Sequence, residues 1–324
     1  MVVLYVSIFL LSSIMLAVAG DWLVRSLSRI ARFFGWNDFI AAFFIMSVAV
    51  SVPELFIGIT AALEGIPELS FGNIIGANII HFTLAIALAT IVLGKLTFES
   101  SNVRLSVDFT ILFALLPFLL MIDGMLSQRD GIILMSAFLI YVIWVFSKRE
   151  HFSKQYQPTL YNGHVALLPF EAFRQFIKDF GTFLFGAGVL LLAAKGIVEA
   201  ASFFALTFHI PLVVVGVFIV GLGTALPETY FAVASARRGN QWMVVGNLLG
   251  STVLTASLVL GLVAFLHPIV INDFSPYVIA RAFLILSGSA LLVFSRTGNT
   301  LTTREAFILL TFFVVFGTVQ ILFR

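Results

Sequence analysis

The sequence predicts an all-α integral membrane protein of ten transmembrane helices, arranged as two inverted five-helix repeats. Three observations carry that expectation. Of 324 residues, 60% are hydrophobic and only 10% charged, where a water-soluble fold carries roughly 25% charged residues; mean hydropathy is +1.11. The apolar residues gather in runs long enough to cross about 30 Å of hydrocarbon. Finally, a stretch of 33 residues, Ala49 to His81, returns without a gap as Gly223 to Thr255. Pro53 and Pro227, Glu54 and Glu228, Gly65 and Gly239, Gly72 and Gly246, Asn73 and Asn247, and Gly76 and Gly250 are each 174 positions apart, the mark of an internal duplication.

Taken in order, the first half supplies spans at Val2 to Ala19, Asp38 to Leu63, Gly72 to Leu93, Val107 to Met121 and Gly131 to Ser147. The first ends in Ala17-Val18-Ala19, as a cleavable signal would, but lacks the basic start of one; it is read as a retained span. Arg25, Arg29 and Arg32 follow at spacings of four and three, a basic helical face expected to anchor on anionic headgroups. The second half supplies Phe180 to Ala194, Pro211 to Ala236, Met243 to Leu266, Pro276 to Ser295 and Glu305 to Phe323. The expected division is therefore 1–147, a cytoplasmic linker at 148–178, and 179–324.

Five spans per half oblige the second half to enter the bilayer upside down relative to the first. With both termini outside, fourteen of the eighteen Lys and Arg fall in cytoplasmic loops, as the positive-inside bias requires. The turn of the first copy carries Glu64 and Glu68, and that of the second carries Arg237 and Arg238. The expected location is a membrane, multi-pass, the inner membrane if the source is bacterial.

Several classes are excluded. A net charge of +2 gives no argument for nucleic acid, and the absence of cysteine removes disulfides and thiolate chemistry. No HExxH, GxGD or GxSxG motif supports an enzyme. The expected partners are the lipid bilayer and transported cations, with no cofactor, and the chain is expected to work as a monomer.

The chemistry lies in the repeated stretch. Each copy sets a Pro-Glu pair deep in an apolar segment. An intramembrane carboxylate costs about 2.5 kcal/mol or more and marks an ion or substrate path, so Glu54 and Glu228 are read as one shared site. Each proline removes a helical hydrogen bond, so breaks at Pro53 and Pro227 are expected to free carbonyls of Ala49 and Gly223 as cation ligands. The following span opens in both copies with two glycines four apart, a face for close helix approach. One position over runs a more polar stripe: Asn73, Ala77 and His81, then Asn247, Ser251 and Thr255. Asn73 and Asn247 suit either interhelical bonding or ligation. His81 suits either packing or a role as cation-coordinating nitrogen or titrating group.

These motifs, Ala49-Val50-Ser51-Val52-Pro53-Glu54 with Gly72-Asn73-Ile74-Ile75-Gly76-Ala77-Asn78-Ile79-Ile80-His81, and Gly223-Thr224-Ala225-Leu226-Pro227-Glu228 with Gly246-Asn247-Leu248-Leu249-Gly250-Ser251-Thr252-Val253-Leu254-Thr255, resemble the alpha-repeats of the sodium/calcium exchanger family, of the cation/calcium antiporter superfamily. The resemblance covers essentially the whole chain. It implies Glu54 and Glu228 as central calcium ligands, supported by oxygens at Val50, Ser51 and Thr224. It also shows departures in the surrounding hydroxyls and amides that help build sodium sites: Val50 for Thr, Ala77 and Ala225 for Ser, and His81 and Thr255 for Asn or Asp. The expected function is secondary antiport of calcium, or another divalent cation, for sodium. The alternatives are a proton-coupled divalent cation antiporter and a non-transporting membrane scaffold with a degenerate ion site.

Overall fold

The computed structural model describes residues 1–33, 48, 51–98, 101–147, 169–271 and 275–322. In a bilayer every backbone polar group needs an internal partner, and the apolar runs duly fold as helices. The first half gives α1 (Val2–Phe33) and α2 (Val52–Leu63). Next comes α3, running as Pro67–Ile80, a π-helical turn at His81–Ala85, and Ile86–Leu93. It closes with α4 (Ser101–Leu120) and α5 (Gln128–Ser147). The second half gives α6 (Pro169–Phe208) and α7, which runs as Leu212–Val215, a π-helical turn at Gly216–Val220, and Gly221–Arg237. Then α8 runs as Gln241–Leu254, a π-helical turn at Thr255–Val259, and Leu260–Leu266. Last come α9 (Ser275–Arg296) and α10 (Thr303–Leu322). Among the described residues nine helices are long and apolar enough to span. The tenth expected span is represented by the shorter α2, and its start at 38–47 lies outside the described residues.

The duplication is visible in local structure. The π-helical turns of α3 and α8 begin at His81 and Thr255, 174 positions apart. Both repeated stretches close their first helix in the same way: the N–H of Ile66 donates to the carbonyl of Ala61 at 2.9 Å, and that of Asn240 to Ser235 at 3.0 Å. This six-to-one bond demands a left-handed residue before it, supplied by Gly65 at φ +74° and Gly239 at φ +70°.

Two short ribbons establish the inversion. Strands β1 (Lys95–Thr97) and β4 (Thr300–Thr302) pair antiparallel, as do β2 (Met125–Leu126) and β3 (Ile269–Val270). Residues related by the duplication, such as Lys95 and Ile269, thus lie in different ribbons. The turn of the second copy sits at the β1/β4 end, where the backbone N–H and hydroxyl of Thr97 both donate to Gln241 Oε1, at 2.9 and 2.6 Å. The turn of the first copy sits at the other end, with Gly65 beside His267, just before β3. Equivalent turns at opposite ends are what inverted repeats require.

Helix α1 packs antiparallel along α6. Tyr5 stacks on Phe203 with ring centroids 3.9 Å apart, and Trp22 stacks on Phe185. Arg29 Nε donates to the buried Asp179 at 2.6 Å, so this member of the expected headgroup-binding face is engaged within the protein. At about 1.5 Å per residue both helices exceed the hydrocarbon thickness. The last part of the expected linker, from Pro169, is already helix; 148–168 lies outside the described residues.

Where α3 crosses α7 the backbones nearly touch. A Cβ on Gly72 would sit 2.2 Å from the carbonyl oxygen of Val213, and one on Gly76 2.2 Å from that of Val217. The small-residue face expected from the sequence is used here. Lipid is as apolar as leucine, so close van der Waals packing of this kind, rather than water exclusion, holds such helices together.

Candidate functional site

The polar residues of the repeated stretches meet between α2, α3, α7 and α8, at the level where the π-helical turns of α3 and α8 begin. Glu54 lies in the first turn of α2, behind Pro53, a position that tolerates proline and places a carboxylate at the positive end of the helix. Glu228 lies in α7. The expected break at Pro227 does not occur: Gly221–Arg237 is one continuous helix with Pro227 inside it, and the irregularity falls earlier, in the π-helical turn. Pro227 still gives no N–H to the carbonyl of Gly223, and both residues lie in the wall of a cavity rather than in packed helix contact. The expected release of the Ala49 carbonyl, and the candidate ligand Val50, lie outside the described residues.

Both carboxylates are fully buried, and each is an electrostatic neighbour of the other. Their surroundings differ. Glu228 is held on both oxygens: the Ser251 hydroxyl donates to Oε1 at 2.7 Å, and His81 Nε2 lies 2.5 Å from Oε2. Ser51 extends the chain by donating to the Ser251 hydroxyl at 3.1 Å. The other ring nitrogen of His81 meets the Thr252 hydroxyl at 3.2 Å. No hydrogen bond of ordinary length reaches either oxygen of Glu54 among the described residues; the Thr224 hydroxyl, committed to Asn73, and the Glu54 backbone N–H are donors at longer range.

The pseudo-twofold relation accounts for this difference contact by contact. Shifted by 174, the partners Glu54 should have are Ala77 in place of Ser251 and Thr255 in place of His81. Alanine has no hydroxyl, and Thr255 is too short to reach, bonding instead to Asn78 at 3.4 Å and the Thr252 carbonyl at 3.3 Å. The Ser51–Ser251 hydroxyl pair becomes Ala225 and Ala77, both fully buried in one apolar cluster. Thr224 donates to Asn73 Oδ1 at 3.0 Å. The corresponding pair is Val50 and Asn247, and neither polar atom of the Asn247 amide has a partner among the described residues.

Of the ten residues singled out from sequence, Glu54, Glu228, Ser51, Thr224, Ser251, His81 and Asn73 are brought together, while Asn247 is buried on α8 with no hydrogen-bond partner among the described residues. Thr255 belongs to the layer behind them, and Val50 is outside the described residues. Two participants escaped the sequence reading, Thr252 and Asn78. They are themselves 174 apart, and each backs the π-turn residue of the opposite copy, so the duplication was the signal that could have found them. Among the described residues no three His, Asp or Glu side chains cluster closely enough to clamp an ion alone; hydroxyl, amide or backbone oxygens must complete any coordination. A cavity of about 310 Å³ reaches the site from the side of α1, with Gly20, Pro53, Thr224 and Pro227 in its wall. Across the pseudo-twofold, α6 packs directly on α2 instead.

Inverted five-helix repeats meeting around two buried glutamates define a secondary transporter fold. The sodium/calcium exchanger family profile matches residues 4–147 and 178–322, and the chain belongs to that family. It is 25% identical to the sodium/calcium exchanger MaX1 of Methanosarcina acetivorans, over 95% of this chain and 96% of that one. It is 26% identical to the inner membrane protein YrbG of Escherichia coli, over 86% of this chain and 84% of that one. Structures of the sodium-calcium exchanger NCX_Mj superpose with a TM-score of 0.63 at 25% identity, covering 97% of this chain and 98% of theirs. The chain is accordingly a multi-pass membrane protein of a transporter family.

Proposed function

We propose that this protein exchanges calcium, or another divalent cation, for sodium across the membrane by alternating access. The observation that carries the reading is the pair Glu54 and Glu228, buried at equivalent positions of inverted repeats, with Glu54 left without a hydrogen-bond partner among the described residues. A buried carboxylate with no partner is costly, and a hard cation with oxygen ligands removes that cost. The two carboxylates balance one divalent cation; sodium ions neutralise the same pair on the return. Ser51, Thr224, Ser251, Asn247 and backbone oxygens supply neutral ligands, and the cavity beside α1 is the route to them. The end bearing β1, β4, Arg237 and Arg238 faces the cytoplasm and both termini face outward, by the positive-inside bias. One monomer contains the whole site.

The test is calcium or manganese uptake into proteoliposomes, first under a sodium gradient at fixed pH and then under a pH gradient without sodium. Uptake in the first condition is expected; uptake only in the second would replace sodium by protons, and none in either would leave a non-transporting membrane protein. Orientation is tested by single cysteines at Glu64 and Arg237, which an impermeant thiol reagent should label from opposite sides.

A further inference from the structure

We infer that His81 is a nitrogen ligand of the transported cation and that it shifts the selectivity of the site from calcium toward borderline divalent cations such as cobalt and zinc. This rests on the exchanger reading above and names the substrate class within it. Three observations carry it. His81 Nε2 is 2.5 Å from Glu228 Oε2, a direct hydrogen bond that a cation captured by that oxygen would displace, leaving the ring nitrogen beside it. The imidazole is almost fully buried and opens the π-helical turn of α3, a local irregularity that places functional side chains in many helices. Its Nδ1 rests on the hydroxyl of Thr252.

The third point is what lets the ring switch from packing to ligation. A hydroxyl both donates and accepts. With no cation bound, Thr252 can donate to Nδ1 while Nε2–H donates to Glu228. With a cation on Nε2, the tautomer carrying hydrogen on Nδ1 is required, and the same hydroxyl can accept from it. Metal-ligating histidines use an outer partner of this kind to fix ring and tautomer. A histidine serving only to satisfy Glu228 uses the first of these two arrangements alone. Ser251, already bonded to the other oxygen of Glu228, adds a neutral oxygen donor. Imidazole nitrogen suits transition metals, whereas calcium prefers an all-oxygen set. At the equivalent place in the second copy stands Thr255, turned to Asn78, so the nitrogen enters from one side of the site only.

The experiment measures half-saturating concentrations of cobalt and of calcium for sodium-driven uptake into proteoliposomes, each read by a lumenal indicator. The wild-type protein, His81→Asn, His81→Gln, Thr252→Val and Thr252→Ser are compared. Relative to calcium, cobalt should lose at least about tenfold in both His81 variants. Thr252→Val should move the ratio in the same direction by less, and Thr252→Ser should return it to the wild-type value. Calcium uptake with a cobalt to calcium ratio unchanged within twofold in the His81 variants overturns this inference and leaves the exchanger reading standing. Absence of any divalent uptake by the wild-type protein overturns both. Should neither His81 variant reconstitute, an unchanged ratio in Thr252→Val alone is enough to reject it.

Discussion

The two copies of the repeated stretch share prolines, glutamates, glycines and asparagines, yet around the carboxylates they have become opposites. In the second copy Glu228 is held by Ser251 and His81. In the first, Glu54 is bare among the described residues because the matching positions are Ala77 and Thr255. The lesson is that duplication preserves the frame, meaning helix ends, crossing glycines and π-helical turns, more strictly than the ligands it presents. One half keeps a pre-formed hydrogen-bonded cradle. The other keeps a carboxylate with no close partner among the described residues, and that is where a cation has most to offer.

The comparison can be broken most sharply by removing each charge in turn. Glu54→Gln and Glu228→Gln should each reduce cation exchange by at least about 100-fold, roughly 2.7 kcal/mol of barrier, without preventing insertion. Near-normal exchange in either purified variant would reject a shared site. Thermal stability measured without cations should separate the two. Glu228→Gln loses charge-assisted hydrogen bonds of about 1.5–3 kcal/mol and should melt lower, while Glu54→Gln removes no hydrogen bond of ordinary length among the described residues and should leave the melting temperature little changed. Shifts of equal size would mean that the carboxylates are alike after all. The smallest effect sharpens the same point: the double variant Ala77→Ser, Ala225→Ser restores the hydroxyls missing from the first copy. Its two changes should couple by about 1 kcal/mol in a double-mutant cycle.

The helical frame was legible in the sequence because lipid leaves few alternatives: runs of about twenty apolar residues are helices, and an odd number of them inverts the second half. The carboxylates and the glycine crossing were legible because each occurs twice. The course of α7 through Pro227 was not, since whether a proline breaks a helix depends on neighbours that the local sequence does not name. Nor was the role of Thr252, an ordinary threonine on an apolar helix until His81 is seen to rest on it. The orientation of Thr255 was hidden for a related reason: it shares its place on the stripe with His81, but its hydroxyl turns to Asn78 and ends short of the carboxylate that a histidine reaches from the equivalent position.

The hydroxyl chain from Ser51 through Ser251 to Glu228 has a further consequence. Two identical inverted halves would give inward-open and outward-open forms of equal energy, because rotation about the pseudo-twofold turns one into the other. This chain of hydrogen bonds has no counterpart at Ala225, Ala77 and Glu54, so the two forms are no longer degenerate. Each bond present in one form and absent from the other is worth about 1 kcal/mol, close to a fivefold ratio of populations. Under the exchange proposed above, a form that breaks one of these bonds is disfavoured by that amount, and the transported ion must supply the differential affinity that reaches it.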